Sequence, residues 1–389
     1  MDSCNKFDQD RRDLLQLGLC GIGAFIGHCY FPVNSFAGQV STSSFAEKFS
    51  RLQKPDQNGI CLPVGFTSRI VAQSSQPVSG YTWHAAPDGG ATFPTGDGGW
   101  IYVSNSEIDR KKGGAGALKF SRNGKIIDAY SILSGTSRNC AGGTTPWGTW
   151  LSCEEIPDGQ VWECDPGGDK PPVLLESLGK FMHEGVAVDH DHQQLYLTED
   201  ESDGCLYRFT ANNYPKLDSG ILEVAMIDGN NNIKWLQLND PRASQQPTRY
   251  QINEASRFNG GEGICYHNKV IYFTTKGDNR VWAYNTEKNK IEIIYNGSLF
   301  ITPVLSGVDN ITSTATGELL VAEDGGDMQI VAITQDKNVF PILQVVGQDL
   351  SEITGPAFSP DGTRLYFSSQ RGKSGRSENG ITYEITGPF

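Results

Sequence analysis

Basic stripes with interleaved aromatics are missing from this chain, and acids outnumber bases. Its 45 Asp and Glu stand against 32 Lys and Arg, a formal net charge of −13 with a pI near 4.9. Such a surface repels nucleic-acid phosphates and anionic membranes, so neither is expected as a partner. A G-x-S-x-G elbow, a P-loop and a dinucleotide-binding glycine fingerprint are also lacking, which removes the usual serine hydrolase, NTPase and dehydrogenase readings. The 9 cysteines show no C-x-x-C pair and no zinc-ribbon spacing.

What is there is a repeat. The β-rich runs WIYVSNSE, GTWLSCEE, QQLYLTE, VIYFTTK, ELLVAE and RLYFSSQ end at Glu107, Glu155, Glu199, Lys276, Glu323 and Gln370. The steps are about 44 to 48 residues, except that Glu199 to Lys276 is longer by roughly 30 and holds an insertion at about 205–260. This interval suits a four-stranded blade, so the expected fold is all-β, a six-bladed β-propeller over 76–389. At 389 residues the chain exceeds one ordinary domain, but blades add around an axis and do not thicken a single core.

A second ladder runs about 14 residues ahead of the first, at Glu184, Glu262, Asp309 and Gly355, in HEGVAVD, GEGICYH, VDNITST and TGPAFSP. Each pair of ladder positions reads as a β-hairpin, with turn chemistry such as Ser-Pro-Asp-Gly at 359–362 between its strands. The innermost strands of a propeller line one central channel, so these residues converge at its mouth. Most of them are carboxylates, which repel one another and stay ionised together only with cations between them. Acids at strand ends can instead merely solvate a rim, although rim solvation does not require the same register in blade after blade.

At the N-terminus, Arg11 and Arg12 precede a short apolar run rich in glycine, DRRDLLQLGLCGIGAFIGHCYF. The run is short for a membrane span and resembles a bacterial twin-arginine export signal over 1–37, cut near Ala37. Residues 38–75, rich in Ser and Gln, read as a poorly structured lead-in. The expectation is a periplasmic or extracellular protein with no membrane attachment after signal removal. Cys61, Cys140, Cys153, Cys164, Cys205 and Cys265 then remain, and an oxidising compartment permits disulfides among them.

The densest chemical segment is NCAGGTTPWGTWLSCEE, residues 139–155. Strand alternation places Cys153 and Glu155 on one face and Glu154 on the other. A thiolate beside carboxylates suits Fe³⁺ or another transition ion, and the surrounding oxygen ligands suit Ca²⁺. The alternative is a small buried cysteine beside two solvated acids. His190 and His192 look like a chelating pair but fall where the last blade has its SPDG turn. His183 either orients Glu184 or simply packs.

The runs CAGGTTPWGTWLSCEE, GKFMHEGVAVD, LYLTEDESDG, GVDNITSTATGELLVAEDG and ITGPAFSPDGTRLYFSSQ together resemble the PhoX-type alkaline phosphatases of bacteria, from about residue 80 to 372. The resemblance implies a propeller whose channel mouth holds Fe³⁺ and Ca²⁺. It also implies that Cys153 is the iron thiolate, that Glu184 and Asp309 are metal carboxylates, and that Glu154 or Glu155 extends the cluster. Glu107 ends NSE, and Ser106 stands where the family has a histidine. The stretch after Glu199 differs from the family's arginine-bearing segment.

A cation cluster of this kind can bind a phosphate dianion and activate an oxygen nucleophile for attack on a small-molecule phosphate ester. Glu107, Glu199, Glu262 and Glu323 complete the expected metal set, and Lys276 and Arg371 are the candidates to donate charge-assisted hydrogen bonds to phosphate, the alternative being ordinary surface charge. Three functions compete: a metal-dependent phosphomonoesterase, a calcium-dependent lactonase or related esterase, and a non-catalytic propeller stabilised by Ca²⁺. A thiolate ligand separates the first from the second, and turnover separates both from the third.

Overall fold

The computed structural model describes residues 44–49 and 51–389; the expected export signal lies outside the described residues. Six antiparallel sheets are arranged in sequence order around an axis. From the axis outward, the first blade runs Pro87–Pro94, Trp100–Ser106, Gly113–Phe120 and Ile126–Thr136, and the second Asn139–Thr144, Trp150–Glu154, Val161–Cys164 and Val173–Leu174. The third comprises His183–Asp189, Gln194–Glu199, Leu206–Asn213, Lys216–Ile227 and an added fifth strand, Ile233–Gln237. The fourth is Gly261–His267, Val270–Thr275, Arg280–Asn285 and Lys290–Asn296. Val308–Ser313, Leu319–Glu323, Gln329–Ile333 and Val339–Val345 make the fifth, and Ile353–Phe358, Arg364–Ser369 and Ile381–Thr386 the first three strands of the sixth. Each inner strand packs against the next, and Ile353–Phe358 closes the ring on Pro87–Pro94.

The middle strands are apolar on both faces because each blade is sandwiched between two others. Trp100–Ser106 and Gln329–Ile333 are buried along their whole length. Cores form between blades: Leu320, Ile330 and Ile342 of the fifth pack with Leu365, Phe367 and Tyr383 of the sixth. At about 25 cal/mol per Å² of apolar surface removed from water, these inter-blade layers are the main source of stability.

The segment expected as an unstructured lead-in closes the ring. Thr67–Gln73 pairs with Ile381–Thr386 as the sixth blade's outer strand, and Ile60–Cys61 adds to the edge of the fifth. Phe45 and Phe49, in and just after the short helix Ser44–Lys48, pack near Phe66 and Phe389, with Phe66 and Phe389 centroids 5.0 Å apart. An outermost strand buries little of itself, only Val71 and Ala72 here, so its composition reads as loop. The insertion is also smaller than expected: 206–227 supplies ordinary third and fourth strands, and the excess is Ile233–Gln237 with the connection 238–260.

One irregularity recurs. Five inner strands lose ladder register near their beginning: between Pro87 and Gly90, His183 and Val186, Gly261 and Ile264, Val308 and Ile311, and Thr354 and Ala357. In the second blade the shift is between Ser152 and Glu154. A bulge re-aims the neighbouring side chain, here the strand's second residue. Glycine follows in most blades because the inner strands approach closely; a Cβ at Gly89 would lie 2.6 Å from Ala141 Cα, and one at Gly263 2.6 Å from the Ile311 nitrogen. Along the same strands runs a cavity of about 470 Å³, lined by residues such as Thr92, Thr144, Val188, Tyr266 and Phe358.

Candidate metal centre

Two collars of side chains surround the beginning of the channel. The first is the second residue of each inner strand: Asp88, Cys140, Glu184, Glu262, Asp309 and Thr354. The second follows the end of each second strand: Glu107, Glu155, Asp200, Lys276, Asp324 and Gln370. Glu352, just ahead of the sixth inner strand, joins them.

Their ligand atoms lie close enough to share cations. Four groups each have all their ligand atoms within 4.8 Å of one another: Cys140, Glu155 and Glu184; Glu184, Glu262 and Asp309; Asp309, Asp324 and Glu352; and Asp88, Glu107 and Glu352. Shared members link the four into one chain around the pore. Glu184 is fully buried, and both its carboxylate oxygens lack a hydrogen-bond partner. A bare buried carboxylate costs several kcal/mol, so it is tolerated where it is neutral or meets a cation.

Electrostatics agree. Burial, then the neighbouring acids Glu107 and Asp309, push Asp88 up to about 8; burial and Glu107 push Glu155 to about 9. Asp309 rises to about 6 through burial, with Lys276 opposing the rise. Glu184, Glu262 and Glu352 are also raised, chiefly by burial and then by other carboxylates. The Cys140 thiol is raised by burial and by Asp88, Glu184, Glu155 and Glu107, the signature of a sulfur set among acids.

Three partly exposed cations stand over the well. Arg138 Nη2 bridges Glu107 at 2.9 Å and Glu155 at 2.8 Å. Lys276 Nζ reaches Glu262 at 2.8 Å, Asp324 at 3.3 Å and Asp309 at 3.5 Å. Arg371 Nη2 pairs with Glu352 at 2.8 Å.

Of the residues expected from sequence, Glu107, Glu155, Glu184, Glu262 and Asp309 come together, with Lys276 and Arg371 beside them. Cys153 does not join them. It is fully buried in the apolar core between the second and third blades, among residues such as Leu151, Val161 and Leu197, and the thiol at the pore is Cys140. Glu154, Glu199 and Glu323 are likewise turned away. Each is the last residue of its strand and accepts backbone N–H groups: Ser137 N at 2.9 Å to Glu154, Cys205 N at 3.0 Å to Glu199, and Ser306 N at 2.8 Å and Gln329 N at 3.0 Å to Glu323. Glu199 also pairs with Arg249 of the insertion at 3.0 Å. Where a strand ends in two acids, alternation sends the first outward as a clip and the second to the pore.

Asp88, Cys140, Asp200, Asp324, Glu352 and Arg138 escape the sequence reading. Asp88 and Cys140 share the register of HEG, GEG and VDN, so aligning PDG and NCA with those runs is the signal that finds them. His183 stacks on Phe181, centroids 3.6 Å apart, and burial pulls it down to about 3; it packs as a neutral ring. His190 and His192 sit in the turn after Asp189, with His192 Nδ1 2.7 Å from the Asp189 carboxylate, as the turn reading expects. No disulfide joins Cys140, Cys153, Cys164, Cys205 or Cys265.

Fold and site together define a six-bladed β-propeller with an acidic axial well. No curated protein sequence matches the chain. The pattern of the family Alkaline phosphatase PhoX matches residues 66–162 and 158–302, and the chain belongs to that family of phosphatases. Among solved structures, the chain is similar to Pseudomonas fluorescens PhoX in complex with vanadate, a transition state analogue. That match has 18% identity and a TM-score of 0.71, covering 86% of this chain and 97% of that one. It also resembles XC5397 from Xanthomonas campestris, a gluconolactonase, at 10% identity and a TM-score of 0.51, covering 88% and 92%. A third likeness is a Bacteroides thetaiotaomicron protein of unknown function, at 10% identity and a TM-score of 0.54, covering 82% and 76%. Among the described residues no helix is long and apolar enough to cross a membrane.

Proposed function

We propose that this phosphatase is a metal-dependent phosphomonoesterase that releases inorganic phosphate from small-molecule esters outside the cytoplasm, exported by way of Arg11 and Arg12. The observation that carries the reading is Glu184: a fully buried carboxylate with two unpartnered oxygens, at the junction of two of the four acid groups. The donor set fits cations of two kinds. Carboxylate oxygens alone in Glu262, Asp309, Asp324, Glu352, Asp88 and Glu107 suit Ca²⁺, whereas the thiol of Cys140 beside Glu155 and Glu184 suits Fe³⁺.

Bound there, such ions would supply Lewis acidity toward phosphate oxygens and lower the pKa of an oxygen nucleophile. The chain's own groups do the rest. Arg138 and Arg371 are 38% and 36% exposed at the rim and keep N–H groups for an incoming dianion, whereas the Lys276 ammonium is already held by three carboxylates. Each arginine is also held by a carboxylate, which fixes where it donates. The carboxylates of the first collar, Asp88, Glu184, Glu262 and Asp309, are buried beneath the rim, so charge developing on a transferred phosphoryl group would be met by fixed charges rather than by bulk water.

The lactonase reading rests on a shared fold alone, and the scaffold reading does not use the rim cations. Hydrolysis of p-nitrophenyl phosphate and of gluconolactone by the purified chain separates all three: phosphate release with no lactone opening is expected. Lactone opening without phosphate release, or no turnover of either, would overturn the proposal.

A further inference from the structure

Lys276 is the one basic residue in either collar, at a position occupied in other blades by Glu107, Glu155, Asp200 and Asp324. Its ammonium has three hydrogens and three carboxylate partners: Glu262 at 2.8 Å, Asp324 at 3.3 Å and Asp309 at 3.5 Å. The backbone fixes the root of the side chain, since Lys276 N donates to Gly260 O at 2.8 Å. Gly277, which follows, is pressed against Asn259, where a Cβ would come within 2.3 Å of its side-chain oxygen.

The ammonium therefore spans a seam. Glu262 belongs to the group with Glu184 and Asp309, and Asp324 to the group with Asp309 and Glu352. Asp309 is common to both. An oxygen cage of this kind is what a hard cation takes, yet here a covalently tethered cation already fills it. We propose that Lys276 is a resident cation: its ammonium takes the place of one metal ion between the fourth and fifth blades and so fixes how many ions the pore holds. The inference rests on the metal-centre reading of the pore.

The test is calcium titration of the metal-stripped full chain by equilibrium dialysis, on wild type, Lys276→Gln and Lys276→Arg. Lys276→Gln is expected to bind about one more Ca²⁺ per chain than wild type, because three carboxylates lose their counter-charge. Lys276→Arg, which keeps the charge, is expected to match wild type. Equal counts in wild type and Lys276→Gln overturn the inference while leaving the metal centre intact; no calcium bound by wild type overturns the metal-centre reading itself. A second measurement does not depend on the variants folding. In a crystal of calcium-loaded wild type, the density between Glu262, Asp309 and Asp324 is expected to be the lysine, and a calcium ion there with Lys276 displaced would sink the idea.

Discussion

A thiol serves a cation only where its sulfur reaches one, and the surroundings of two cysteines decide which of them does. Cys140 lies within shared-ligand distance of Glu155 and Glu184, whereas Cys153 packs in an apolar core and feels Glu184 and Glu154 only through space. Cys140→Ser is expected to lower bound iron and phosphatase turnover by at least about tenfold, since even outer-shell changes cost that much. Cys153→Ala removes only a buried sulfur and is expected to cost about 1 kcal/mol of stability while sparing turnover, read by thermal unfolding beside the same assay. The opposite ranking of the two variants would return the thiolate role to Cys153. The run CAGG…SCEE drew attention to the right strand pair in the sequence, but the choice between its two cysteines depended on a bulge between Ser152 and Glu154, which no local pattern announces.

Strands carried most of what could be read in advance. Their period and their ends were legible because each buried middle strand is a short apolar run stopped by a polar residue. The register at those ends was legible at Glu107, Glu155, Lys276 and Gln370, where the last polar residue read from the run is the one that joins the collar. At Glu199–Asp200 and Glu323–Asp324 the pleat sends the second acid inward, and the first is drawn off by backbone N–H groups that only the folded turn presents. The closing strand escaped notice for another reason: Thr67–Gln73 is paired across more than three hundred residues and buries little. Its role gives a clear expectation. Removing residues 1–74 leaves Ile381–Thr386 as an open edge, and the melting temperature should drop by on the order of 10 °C, with lower soluble yield. An unchanged melting temperature would show that the ring closes without it.

At the scale of the whole molecule, an acidic chain concentrates its acids on its own axis. Stripped of cations, the folded protein holds Asp309, Asp88 and Glu155 at raised values of about 6, 8 and 9, above an unfolded carboxyl near 4. The folded state then binds more protons than the unfolded one. That stability is present in full below about pH 4 and is lost as pH rises through the raised values. Chelated protein should therefore melt progressively lower from about pH 5 to 9, whereas calcium-loaded protein should not, because cations replace the protons. Calorimetry across that range checks this; a chelated protein more stable at pH 9 than at pH 5 would contradict the sign.

Metal held by this protein is expected to sit on the acids of the pore. Elemental analysis of purified wild type beside a Glu184→Gln/Asp309→Asn variant checks this. Iron and calcium bound by the wild type and largely lost from the variant are predicted. Equal metal content in both, or none in the wild type, would contradict it.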